Sequence, residues 1–188
     1  MWGEKNYTLE DRIEEIEKAV KFEMWQSALA LSLTVPDICG QIEFKNIIDK
    51  NGKRLVGKQY KEWFKKYIDP YFLKSNKHKD DIKTYFTAEM CWQLRNAFLH
   101  SGTDNTEENI KKGLYSFKLK INSVNSYSIN EDNEITSITL DIKTLCDFIC
   151  KGARKFINQW ENKNDLIEKR CTWIDVKQFS EYIHKYNK

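Results

Sequence analysis

Positions Leu9, Ile13, Ile16, Val20, Met24, Ser27 and Leu31 recur at helical spacing, with Glu and Lys residues mainly opposite, so residues 8–34 predict one long amphipathic helix. Thr8 is its expected N-cap, with Asp11 where a capping box places an acid. Pro36 is expected to end that helix and to open a short second one over "PDICGQIEF". A loop follows, "NIIDKNGKRLVG", in which Asn51-Gly52 signals a turn. The segment "KQYKEWFKKYIDPYF" gathers Tyr60, Trp63, Phe64, Tyr67 and Ile68 on one face. Lys58, Lys61, Glu62 and Lys65 fall on the other, and Pro70 closes the helix. Residues 74–83 are polar and predict a loop.

Thr87 caps the next helix, whose stripe is Met90, Cys91, Leu94, Ala97 and Phe98. The period then changes. In "GLYSFKLKI", Tyr115, Phe117, Leu119 and Ile121 alternate with Ser116, Lys118 and Lys120, a strand pattern with the first set inward. "SYSI" and "ITSITL" flank "NEDNE", so residues 113–140 predict a small antiparallel sheet of two or three strands. Helical spacing returns in Ile142, Leu145, Cys146, Ile149, Ala153, Phe156, Ile157 and Trp160, and a short last helix is expected near 175–186. No internal repeat or low-complexity tract is visible.

Composition supports a mainly helical single domain over residues 1–188. Apolar residues make up 40% and aromatics 13%, enough packing material for a real core, while seven Gly and two Pro leave long segments uninterrupted. The start, "MWGEKNYTLEDR", is charged and lacks the apolar centre of a signal peptide. No stretch approaches the roughly 18 apolar residues that span a bilayer. Five cysteines, an odd number and scattered, read as reduced thiols, so a cytoplasmic protein without a membrane partner is expected. Cys146 and Cys150 lie one helical turn apart, but nothing completes a zinc set around them, and packing is the expected role. No cofactor or metal site is predicted.

Charge is placed unevenly. Between Lys45 and Lys79, ten lysines and one arginine face three carboxylates, a net of +8 against +3 for the whole chain. This basic zone is interleaved with aromatics. Lys58, Lys61 and Lys65 are its candidate contacts to a phosphate backbone, although the aromatics fall on the opposite face, as in any surface helix.

The residues with chemistry to offer stand in "CWQLRNAFLHSG". Arg95 sits at the edge of the apolar stripe and needs a partner if half-buried. His100 lies about 140° away on an ideal helix, so the two side chains converge only if the helix ends there, with Gly102 as the stop. Histidine takes up a proton near neutrality, and a guanidinium stabilises charge on phosphoryl oxygens. Asn96 is placed to orient a phosphate or the imidazole. His78 and His184 read as surface residues, and Asp37 as a helix cap or the partner of Arg95.

"RNAFLH" resembles the R-x(4–6)-H motif of the HEPN superfamily, helical domains many of which are metal-independent ribonucleases. The surrounding "ALALSLTVPDICGQIE", "YKEWFKKY" and "LRNAFLHSG" are similar to a group of small bacterial HEPN-like proteins, over roughly residues 9–102. The resemblance implies an antiparallel helical bundle completed by the helix near 141–160, with the sheet as an insertion. It further implies Arg95, Asn96 and His100 as the catalytic set, RNA as substrate, no metal, 2′,3′-cyclic phosphate products and a homodimer. A defence or toxin setting, with an antitoxin or regulatory partner, follows from it too. Two other readings stay open beside the ribonuclease. One is a non-catalytic HEPN-like module that binds a nucleotide, RNA or a protein; the other is a structural protein whose sheet is its interaction surface. In that last case Arg95 would bridge to Asp37 or Glu43, and His100 would merely face the helix C-terminus.

Overall fold

The computed structural model describes residues 5–74, 83–101, 116–129, 135–160 and 172–174. The expected final helix near 175–186, the hairpin tip "NEDNE", most of the 74–83 loop, Tyr115, Gly102, Cys171, His78 and His184 lie outside the described residues.

The fold is mainly helical. Helix α1 spans Leu9–Lys21, α2 Trp25–Glu43, α3 Val56–Tyr67, α4 Ala88–Asn96 and α5 Ile142–Gln159. Helix α2 packs against each of the other four. The expected capping box is present: the Thr8 hydroxyl accepts from Asp11 N at 3.2 Å, and Asp11 Oδ2 accepts from Thr8 N at 2.9 Å. The single long helix expected over 8–34 is instead two. Helix α1 stops at Glu23, whose φ is 57°. Glu23 N donates to Val20 O at 3.2 Å and Met24 N to Ala19 O at 2.8 Å, the bond pair of a Schellman stop. Pro36, expected to be a boundary, lies buried inside α2. It removes one backbone donor there. The helix runs on because Leu29, Leu33, Val35, Cys39 and Ile42 are buried along it, and packing outweighs propensity.

The Asn51-Gly52 turn forms as expected: Gly52 has φ 78°, and Asp49 Oδ1 accepts from Asn51 N and Lys53 N, each at 2.8 Å. In α3 the whole predicted aromatic face is buried. Pro70 does not cap α3 directly but stands in a 3-10 turn, Asp69–Phe72, just beyond it. Two short pairs follow: β1 (Lys5–Tyr7) with β7 (Thr172–Ile174), and β2 (Leu73–Lys74) with β3 (Lys83–Thr84), both antiparallel.

Strands β4 (Ser116–Lys120), β5 (Ser126–Ile129) and β6 (Ile135–Asp141) form a sheet in the order β4-β6-β5. It is mixed rather than antiparallel. The hairpin partners β5 and β6 run antiparallel, but β4 joins the far side of β6 in parallel, with Phe117 opposite Ile138. Alternation in a strand marks its faces, not its neighbour, so this pairing is invisible locally. Phe117 is buried, whereas Ile121, expected inward, lies past the strand end and is 41% exposed. Phe117, Ile138 and Leu140 join one core with the helices.

Candidate active site

Helix α4 begins at a capped Thr87, whose hydroxyl accepts from Met90 N at 3.3 Å, and ends at Asn96. The chain does not unwind there. Ala97–Ser101 continue as a π-helical turn, closed by i→i+5 bonds. On such a widened turn, residues five apart come nearly into line. Arg95, in the last turn of α4, meets His100 on the π turn beyond it, whereas a continuous α-helix would hold them about 140° apart. Arg95 Nη1 lies 2.9 Å from His100 Nε2 and donates a second bond to Asn96 Oδ1 at 3.0 Å. A guanidinium has no acceptor, so Nε2 accepts and the imidazole proton sits on Nδ1. The three predicted residues thus lie together, joined by side-chain hydrogen bonds.

The surroundings of Arg95 are graded from neutral to charged. Its Cζ stands 5.2 Å over the Trp92 ring, and Trp92 in turn meets Tyr60 edge-on at 5.1 Å. Burial, with Cys91 beside it, pushes the Tyr60 hydroxyl well above the usual tyrosine range. Burial likewise pushes the Cys91 thiol up to about 12. These two lie 3.3 Å apart and keep the floor of the site uncharged. Across from it, Asp37 Oδ2 is 3.9 Å from Arg95 Nη2. Arg95 Nε is buried with no hydrogen-bond partner. His100, by contrast, is exposed.

Asp37 has a nearer cation. Arg54 Nη2 donates to Asp37 Oδ1 and, at 2.9 Å, to the Asp37 backbone carbonyl, while Arg54 Nε donates to Gln59 Oε1. Glu43, the other carboxylate considered for Arg95, is engaged elsewhere, accepting from Lys66 and from the Tyr67 hydroxyl at 3.1 Å. Arg54, Gln59 and Trp92 are site residues that sequence patterning did not single out. Arg54 was visible only as one more charge of the basic zone.

Among the described residues, none of the three lysines forms an ion pair with a residue of this cluster. Lys61 pairs with Glu89 at 2.7 Å, in the first turn of α4, about 9 Å along the axis from Arg95. Lys65 pairs with Glu62 at 2.9 Å. Lys58 is exposed, and among the described residues it has no ion pair. Cys146 and Cys150 are buried in α5, and burial pushes their thiols up to about 11 and about 12. Among the described residues, no group of three or more His, Cys, Asp or Glu is arranged to hold a metal ion. No helix among them is long and apolar enough to cross a membrane. Compared with known proteins, the chain matches no family model, no curated protein and no solved structure.

Proposed function

We propose that this protein is a HEPN-type endoribonuclease that cleaves single-stranded RNA by transesterification at the 2′-hydroxyl, without a metal. The observation that carries the reading is the 2.9 Å contact between Arg95 Nη1 and His100 Nε2. It joins a fixed cation to an imidazole at the protein surface. A phosphodiester arriving at Arg95 competes for the same guanidinium donors, which bind paired oxygens better than a ring nitrogen. Its arrival frees the Nε2 lone pair beside the 2′-hydroxyl. His100 takes that proton, the 2′-oxygen attacks phosphorus, and the bond to the 5′-oxygen breaks. The proton is returned to the leaving 5′-oxygen, giving a 2′,3′-cyclic phosphate and a 5′-hydroxyl. Arg95 offsets charge on the phosphoryl oxygens, and Asn96 fixes the guanidinium.

Arg95 is held below its bonding capacity, with Nε unpartnered and Nη2 at 3.9 Å from Asp37 Oδ2, beyond hydrogen-bond distance, and an incoming anion would fill that capacity. The family resemblance supports a homodimer in which two such pairs share a cleft, with Lys58, Lys61 and Lys65 guiding the strand. The test is cleavage of single-stranded RNA in EDTA by the purified protein. Cleavage should vanish in His100→Ala while the fold persists; cleavage that survives this change removes His100 from the mechanism.

A second reading, a non-catalytic module binding RNA, a nucleotide or a partner protein, draws on the same contact, since Arg95 already occupies the acceptor nitrogen of His100. It predicts saturable, salt-sensitive binding with no turnover.

A further inference from the structure

Asp37 serves two arginines unequally. Arg54 holds its Oδ1 and its backbone carbonyl together, whereas Arg95 Nη2 stands 3.9 Å from its Oδ2. Arg54 is itself fixed. Its Nε donates to Gln59, and buried Gln59 is anchored by its Nε2 to the carbonyls of Phe44 at 2.8 Å and Ile47 at 3.2 Å. Arg95 spends both hydrogens of Nη1 on Asn96 and His100.

A half-buried carboxylate does not stay unpaired; it takes the nearest cation. Were Arg54 absent, that cation would be Arg95, whose Nη2 needs to move only about 1 Å to reach charge-assisted bonding distance. The same rotation pulls Nη1 off the imidazole. We infer that Arg54 is a positioning residue: by occupying Asp37, it keeps Arg95 turned toward His100 and open to a phosphate. This rests on the reading of Arg95 and His100 as the working pair.

The decisive readout is the tautomer of His100 in the full-length apo protein, followed by ¹⁵N NMR with assignment from His100→Gln. In the wild type Nε2 is the unprotonated nitrogen. Arg54→Met should return His100 to the exchanging tautomers of an unconstrained imidazole. Arg54→Gln, which keeps a donor for the Asp37 carbonyl and so protects the loop, should do the same. Adding Asp37→Asn to either variant should restore the wild-type tautomer, because nothing then pulls Arg95 away. Arg54→Lys, which leaves a cation on Asp37, should retain it. An unchanged tautomer in both Arg54→Met and Arg54→Gln overturns the inference, as does failure of Asp37→Asn to restore it. RNA cleavage is scored separately. A tautomer that responds as stated in a protein that never cleaves RNA leaves Arg54 as the positioning residue and removes the nuclease reading.

Discussion

Arg95, in the last turn of α4, and His100, on the π turn that follows it, touch at 2.9 Å. The two ends of the contact differ in what they support. Arg95 is only 18% exposed in its side chain and lies over Trp92 and near Asp37, whereas His100 projects into solvent. The pair therefore separates catalysis from stability.

Arg95→Ala should lower stability by about 2 kcal/mol, the scale of a charged hydrogen bond plus a cation–π contact, and Tm by roughly 4–8 °C. His100→Ala should cost no more than about 0.5 kcal/mol, as surface changes do. Both should abolish RNA cleavage. Thermal melts of the two variants beside a cleavage assay check this; equal melting temperatures would count against the packing assigned to Arg95.

Much of the fold was legible because its signals are local. Thr8 with Asp11, Thr87, and Asn51-Gly52 each announce a backbone event within four residues, and each does what its side chain dictates. Where reading failed, the cause was non-local or unmarked. The stop after α1 puts Glu23 at positive φ without the glycine that normally flags it, so the sequence shows no break. Pro36 reads as a boundary only until the buried face around it is counted. The parallel partner of β4 depends on where β6 lies in space. At the site, Arg95, Asn96 and His100 stood out by residue type, but the π turn that joins them carries no sequence mark. Arg54 meets Asp37 across 17 positions, a distance no periodicity spans.

Gly40 sets the approach of the two helices that carry Asp37 and Gln59. A Cβ there would lie 2.6 Å from the Gln59 backbone carbonyl oxygen, a contact that neither helix relieves without shifting. Gly40→Ala should destabilise the protein by about 1–3 kcal/mol, the range for overpacked cores. Denaturant titration measures this. Because the shift also moves Asp37 relative to Arg54, cleavage at a temperature where the variant remains folded should fall as well.

The lysines of α3 should contribute unequally to RNA binding. Lys61 and Lys65 are neutralised by Glu89 and Glu62, while Lys58 is exposed and, among the described residues, without an ion pair. Lys58→Gln should reduce the slope of log affinity against log salt by about 0.7, one phosphate contact on a single strand. Lys61→Gln and Lys65→Gln should change it less, and Glu89→Gln should raise affinity by releasing Lys61. Salt titrations of binding to a non-cleavable deoxy-oligonucleotide decide it; a wild-type slope in all three lysine variants would sever α3 from the RNA path.

Asp69 sets a pH dependence of stability. Burial raises its carboxyl from 3.8 to about 6, against a partial lowering by Lys65, and its Oδ1 is buried without a hydrogen-bond partner. The folded protein therefore binds this proton more tightly than the unfolded chain does. The stabilisation is complete below about pH 4 and is lost as pH rises through about 6, the sign that follows when the native state holds more protons. After allowance for solvent screening, the loss is on the order of 1–2 kcal/mol. Asp69→Asn, which cannot ionise, should flatten stability between those pH values and raise it at neutral pH. Urea unfolding at closely spaced pH values measures both; a variant with the wild-type slope would assign that pH dependence to another group.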